Sequence, residues 1–216
     1  MFYSSYGSFV HKIIEEYYSG ELSQQDMSSR FLLGFSDNVL GNRPDGSTVQ
    51  KYIKQGSQYF TDFKPFPYTP IDIEHKMVFQ IDGVPFVGYA DYIGDDNGDI
   101  VVVDSKSKEL KKRSNRKKKT KNDENIDSVL RQLYIYSDGI MQEYGKYPSK
   151  LCINCFRTGV MIEEPFNEKD HQEALEWAKS GIESIKNAEE FKPSVEYFKC
   201  SNICGVNKDC CYWELR

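Results

Sequence analysis

The stretch from Pro85 to Lys106, PFVGYADYIGDDNGDIVVVDSK, decides the fold. Two apolar runs flank Asp95-Asp96-Asn97-Gly98, and Asn-Gly between such runs is the strongest short-range signal for a two-residue hairpin turn. Strands are therefore expected over roughly Pro85 to Gly94 and Asp99 to Lys106. With the turn at Asn97-Gly98, residues whose numbers sum to 195 face each other, which sets Asp91 opposite Asp104. Directly opposed Cβ atoms stand about 4.5 to 5.5 Å apart, and like charges so placed repel, so the pair calls for a cation. The strand period of two puts Lys106 on the face of Asp104. Two carboxylates and an ammonium are expected to converge there. The alternative makes Asp91 a surface residue and Asp104–Lys106 an exposed ion pair worth less than about 1 kcal/mol, and a turn one residue longer would flip the faces.

Working outward, the segment upstream is helical. Residues 7 to 23, GSFVHKIIEEYYSGELS, place apolar or aromatic residues at Phe9, Val10, Ile13, Ile14, Tyr17 and Tyr18 at helical spacing, with Gly20 as the stop. A second helix is expected from Ser23, as its cap, to about Val39, and a third from Ser47 to Phe63. Pro65, Pro67 and Pro70 then break the pattern, and Ile71 to Ile81 reads as a strand ending at the turn Asp82-Gly83. Downstream, a long helix is expected over about Asn125 to Tyr144, with an apolar side running from Val129 to Tyr144. Residues 150 to 163 read as a strand pair or one broken strand, and 168 to 190 as a helix. Helices followed by a hairpin-bearing sheet and further helices predict an α/β fold.

The length of 216 residues fits one domain, with a helical part over 1–64, the sheet and its helices over 65–190, and a Cys-rich tail over 191–216. At 39% hydrophobic and 14% aromatic, the chain has too much apolar and aromatic material for disorder. No stretch approaches the roughly 18 apolar residues of a membrane span, and no basic region precedes an apolar run at the N-terminus. Neither membrane partners nor signal-directed secretion are expected, and a reducing, cytoplasmic location is. The net charge of −5 conceals residues 108–121, KELKKRSNRKKKTK, with nine Lys or Arg against one Glu; that segment is +8 and the remainder −13. Lys111, Lys112, Arg113, Arg116, Lys117, Lys118 and Lys119 are candidates for a local polyanion contact, on a loop expected to be mobile until bound. A solvated loop is the bland alternative.

Paired carboxylates are hard oxygen ligands suited to Mg²⁺ or Mn²⁺. Such an ion can lower the pKa of water and neutralise charge on a phosphoryl group, while Lys106 orients the nucleophile or stabilises the transition state. Of the six cysteines, Cys200, Cys204, Cys210 and Cys211 crowd the tail and suggest a cluster or zinc site. Cys152 and Cys155 form a CxxC on an expected strand, where their odd spacing turns them to opposite faces, and are read as buried structural thiols. His75 and His171 carry no motif and are read as structural.

Gly88-Tyr89-Ala90-Asp91, Asp104-Ser105-Lys106 and Gln132-Leu133-Tyr134-Ile135-Tyr136 resemble, in order and spacing, the Gly-x-x-Asp, Asp-x-Lys and Gln-x-x-x-Tyr motifs of the RecB-type branch of PD-(D/E)XK nucleases. Gly7-Ser8-Phe9-Val10-His11 resembles that branch's helix with a metal-binding histidine. The closing Cys-x3-Cys-x5-Cys-Cys resembles the tail of its iron-sulfur members, including CRISPR-associated exonucleases, although no cysteine precedes His11 here. The resemblance implies an α/β, restriction-endonuclease-like core of three layers, a mixed sheet flanked by helices, with a C-terminal Cys-rich tail. It implies metal ligands at His11, Asp91, Asp104 and the Ser105 carbonyl, Lys106 as the catalytic lysine, and an acidic position at Glu74. Gln132 and Tyr136 would position the lysine or the nucleic-acid backbone. The implied activity is a Mg- or Mn-dependent deoxyribonuclease, most often an exonuclease on single-stranded DNA or duplex ends. It would serve recombination, repair or phage- or CRISPR-related processing in a bacterial or phage-infected cell, with a helicase or other recombination protein as a partner. The alternatives are an inactive nucleic-acid-binding subunit and an RNA endonuclease of the same superfamily, and for the tail an iron-sulfur cluster, zinc or no metal.

Overall fold

In the computed structural model, which describes residues 2–41 and 43–214, Asn97 and Gly98 both adopt positive φ, 56° and 96°. That is the backbone of the tight turn that matches strand twist. The expected register follows: Asp96 pairs with Asp99, Asp95 with Ile100, and so on to Tyr92 with Val103. Asp82 and Gly83 repeat the device at φ 50° and 74°. The strands are β1 (Thr69–Ile81), β2 (Val84–Asp96), β3 (Asp99–Lys106), β4 (Lys150–Cys155) and β5 (Val160–Pro165). They form one five-stranded sheet in the order β1-β2-β3-β4-β5. Only β3 and β4 run parallel, because a long helix, α4 (Lys121–Tyr144), carries the chain between them.

The helices ahead of the sheet are α1 (Phe2–Tyr18), α2 (Met27–Asn38) and α3 (Gly46–Thr61), and α5 (Glu168–Lys186) follows it. The first begins five residues before the expected start at Gly7, because Phe2 and Tyr6 extend its buried stripe. Ser23 does not cap a long helix: a short 3-10 turn, Gln24–Asp26, precedes α2, and the Ser23 hydroxyl donates to the Asp26 carboxylate. Asp45 caps α3 through the Thr48 amide. Thr120 and Asp123 form a reciprocal capping box on α4, and this box explains a start four residues earlier than Asn125. Past α5 the described residues form two short helices, α6 (Tyr197–Asn202) and α7 (Cys211–Glu214), with a 3-10 turn, Asn207–Asp209, between them.

One face of the sheet, with Met77, Phe79, Ile100, Val102 and Ile153, packs on Ile126, Leu130 and Leu133 of α4. The other face presents Tyr92, Val101, Val103 and Cys152 to Phe66 and Tyr68. Beyond these, α1 to α3 share an aromatic cluster built from Phe2, Tyr6, Phe9, Phe31 and Phe60. Three layers result, as expected. Cys152 and Cys155 are fully buried in the cores of opposite faces. His75 and His171 are taken up by Glu143 and Asp138.

The alternation fails at one place. Ala90 belongs to the α4-side core and Tyr92 to the opposite one, although residues two apart on a regular strand share a face. On β1 their partners are His75 and Ile73, and Glu74 between them takes a φ of 48°. Such a φ is unfavourable for a residue with a long side chain and is kept only where the surroundings require it. Both strands thus switch faces at Glu74 and Asp91, and the β2–β3 pairing ends beside them.

Candidate active site

Where the β2–β3 ladder stops, backbone groups that a neighbouring strand would have satisfied must find side chains. The Ser105 amide donates to Asp91 Oδ2 at 2.6 Å. The Ser105 carbonyl accepts from His11 Nε2 at 2.9 Å, with His11 delivered by α1 across the open end of the sheet. The other ring nitrogen, Nδ1, lies 3.5 Å from both Glu74 Oε1 and Asp91 Oδ1. Ligand atoms of His11, Glu74 and Asp91 all fall within 4.8 Å of one another.

This arrangement passes a simple test for a divalent ion. Neighbouring donors at about 2.1 Å from an octahedral cation stand about 3 Å apart, and His11 Nδ1, whose ring partner Nε2 is held by the Ser105 carbonyl, lies 3.5 Å from a carboxylate oxygen of Glu74 and of Asp91. Carboxylate, imidazole and carbonyl donors also suit such ions. With only protein groups present, burial works against a charged His11 ring, but hydrogen bonds and charge from Asp91 and Glu74 outweigh it and raise its pKa to about 10. The imidazolium then provides the positive charge that the two carboxylates need.

Asp104 is only 3% exposed. Its neighbour is Lys106, whose Nζ lies 3.0 Å from Oδ1 and 2.8 Å from Oδ2. Burial and the charge of Asp91 raise the Asp104 pKa to about 6, against the pull of Lys106. Burial opposes charge on Lys106 too, but Asp104 more than compensates and its pKa rises. The two carboxylates and the ammonium do lie close together, since the charge of Asp91 acts on both Asp104 and Lys106, but their hydrogen bonds differ. Asp104 holds Lys106, whereas Asp91 turns to Ser105 and His11, and Glu74 rather than Asp104 completes the compact ligand group. The cause is the face switch, which takes Asp91 out of the alternation that Asp104 still follows beside Ile153.

On α4, Gln132 Nε2 donates to Tyr136 Oη at 2.7 Å. The Tyr136 ring lies against Gly88, where a Cβ would stand 2.7 Å from it, so glycine in the Gly-x-x-Asp stretch gives the tyrosine room. A cleft of about 440 Å³ lined by Gly7, His11, Lys12, Glu74, Ser105 and Lys106 opens onto the site.

The basic segment is more anchored than its charge suggested. Leu110 is buried in the main core, Asn122 bonds both backbone groups of Lys111, and Asp123 accepts from the Ser114 amide. Arg113 is committed to Asp127 and Glu164 at 2.7 and 2.6 Å, and Lys119 to Asp127 at 2.6 Å. Lys111, Lys112, Arg116, Lys117 and Lys118 are exposed. Among the described residues, the group of three or more His, Cys or acidic ligand atoms within 4.8 Å is His11, Glu74 and Asp91; of the tail cysteines, Cys200, Cys204 and Cys210 are partly buried and Cys211 is exposed.

Asn154, Tyr59 and Arg157, near the site, belong to no sequence motif. Asn154 Nδ2 donates to Ser105 Oγ at 3.0 Å and to Tyr59 Oη at 2.8 Å. Arg157 reaches Ser107 O at 3.3 Å and Glu109 at 3.0 Å, over the ring of Tyr52, and so braces the segment that follows Lys106. An isolated polar residue in an apolar strand was the one available hint for Asn154.

A model of the PD-(D/E)XK nuclease superfamily matches residues 2–212. No curated protein matches the chain. Among solved structures, a candidate exonuclease from Eubacterium rectale aligns over 92% of this chain and 80% of its own, at 12% identity and a TM-score of 0.48. A protein designated SSO0001 aligns over 96% and 86%, at 16% identity and a TM-score of 0.34.

Proposed function

Because the chain belongs to the PD-(D/E)XK nuclease superfamily, we propose that it is a Mg²⁺- or Mn²⁺-dependent deoxyribonuclease acting as an exonuclease on single-stranded DNA or duplex ends. The observation that carries this reading is the convergence of His11, Glu74 and Asp91 within 4.8 Å, beside the Asp104–Lys106 pair at the open end of the β2–β3 ladder. His11, Glu74, Asp91 and the Ser105 carbonyl would hold the cation. When bound, a divalent ion supplies Lewis acidity toward phosphate and acidifies water.

The remaining steps belong to side chains. Lys106 stays protonated beside Asp104 and places its ammonium where charge grows on the phosphoryl oxygens. Asp104 fixes that ammonium from a buried position at the edge of the cleft. Tyr136, oriented by Gln132, borders the same end of the sheet and is assigned to holding Lys106 or the strand backbone. The exposed Lys111, Lys112, Arg116, Lys117 and Lys118 would engage phosphates without reading sequence. The processes served would be recombination, repair, or phage- or CRISPR-related DNA processing in the cytoplasm, alone or with a helicase. An iron-sulfur cluster on the tail cysteines is a separate proposal, checked by iron content and visible absorption of anaerobically purified protein.

The test is cleavage of end-labelled single-stranded DNA, duplex DNA and RNA in Mn²⁺, Mg²⁺ or EDTA. Metal-dependent shortening of DNA from one end supports the reading. RNA cleavage alone would move the assignment to a ribonuclease, and binding without cleavage to an inactive subunit.

A further inference from the structure

Ser105 lies between Asp104 and Lys106, and all three of its polar groups are engaged. Its amide holds Asp91, its carbonyl accepts from His11 and its hydroxyl accepts from Asn154. On the β2 side, the ladder that would ordinarily fix the amide and carbonyl has ended, so their direction depends on what grips the residue from elsewhere. On the β4 side, Asn154 is the register partner of Ser105. It is 4% exposed, and its amide nitrogen spends its two hydrogens on Ser105 Oγ and Tyr59 Oη. Tyr59 comes from α3, which packs on α2 rather than on the strands that carry the ligands. The chain Tyr59–Asn154–Ser105 therefore ties the helical layer to the residue whose carbonyl faces His11.

We propose that Asn154, seconded by Tyr59, is a positioning residue for the cation site, holding Ser105 so that its carbonyl and amide are presented to His11 and Asp91. The proposal rests on the assignment of a divalent ion to this site. Asn154 touches neither the ion nor the substrate; it acts through Ser105. Groups that orient ligands in this way characteristically change metal affinity by ten- to a hundredfold.

The experiment measures Mn²⁺ binding by calorimetry without substrate, together with the melting temperature of the metal-free protein and the Mn²⁺ dependence of DNA cleavage. Asn154→Ala should weaken Mn²⁺ binding about tenfold or more, raise the Mn²⁺ needed for half-maximal cleavage in parallel, and recover most of the rate at saturating Mn²⁺. Tyr59→Phe should shift binding less, in the same direction. Ser105→Ala combined with Asn154→Ala should bind no worse than Asn154→Ala alone, since both remove one contact. Ser137→Ala, which removes a buried hydroxyl bonded to Leu133 O on α4, should leave Mn²⁺ affinity at the wild-type value. Should Asn154→Ala fail to fold, Tyr59→Phe and Ser105→Ala carry the comparison.

Unchanged Mn²⁺ affinity in folded Asn154→Ala, whatever its melting temperature, overturns the proposal. An equal shift in Ser137→Ala does the same by showing general destabilisation. Wild type that binds Mn²⁺ but cuts nothing refutes the nuclease reading and leaves the affinity comparison to decide the role of Asn154. Wild type that binds no Mn²⁺ overturns both.

Discussion

The β2–β3 hairpin carries aspartates at both ends, and the two ends treat them oppositely. At the turn, Asp95 caps the Gly98 amide, Asp96 meets Lys150 at 2.6 Å, and Asp99 is exposed. Every strand residue there has its ladder partner, so the carboxylates serve the turn and the solvent. At the far end the ladder is interrupted, Asp104 is buried against Lys106, and Asp91 replaces a missing backbone acceptor for Ser105. The same side chain on the same hairpin becomes a turn residue or a candidate metal ligand according to whether its neighbours' backbone bonds are already made.

Mutations separate the two ends most sharply. Asp91→Ala and Asp104→Ala should each lower the cleavage rate about 10³-fold, whereas Asp96→Ala should leave it at the wild-type value in the same labelled-DNA assay. Lys106→Ala should cost about 10²-fold, read as kcat with little change in KM if the ammonium acts on the transition state. An equal loss at Asp96 would erase the distinction.

A smaller effect tests the packing behind the open end. Gly88→Ala pushes a methyl into the Tyr136 ring, and such overpacking costs about 1–3 kcal/mol. The melting temperature should fall by several degrees, and Tyr136→Ala should relieve the clash in the double variant.

The least effect is expected at the anchor of the basic segment. Hydrogen bonds from the Ser114 and Thr120 amides and hydroxyls hold Asp123 well below the usual carboxylate range. A depressed folded-state pKa contributes stability above the unfolded value of about 3.9 and loses it as pH falls below that value. Asp123→Ala should therefore melt below wild type at pH 7, and the gap should narrow as the pH is lowered through about 4.

Sequence reasoning reached the turn end of the hairpin and stopped short of the open end. Asn97-Gly98 specifies its own backbone, so the register pairing Tyr92 with Val103 could be counted off directly. Strand periodicity places Asp91 near Asp104, and its charge does reach Asp104 and Lys106, but a pattern of two contains no signal for the face switch that turns Asp91 to Ser105 and His11. The switch depends on the positive φ of Glu74, a residue whose type does not announce that conformation. The role of Asn154 could not be read for a related reason: its value lies in the parallel register between β3 and β4, which a helix of 24 residues separates in sequence. The charge run at 108–121 was plain as composition, but the partners of Arg113 lie on α4 and β5. No local pattern connects them.

The most direct test of this account is calorimetric titration of Mn²⁺ into wild type, Asp91→Ala and Asp96→Ala, without nucleic acid. The account predicts one binding event in wild type and Asp96→Ala that Asp91→Ala loses. Equal binding by wild type and Asp91→Ala would contradict the placement of the metal centre at the open end of the hairpin.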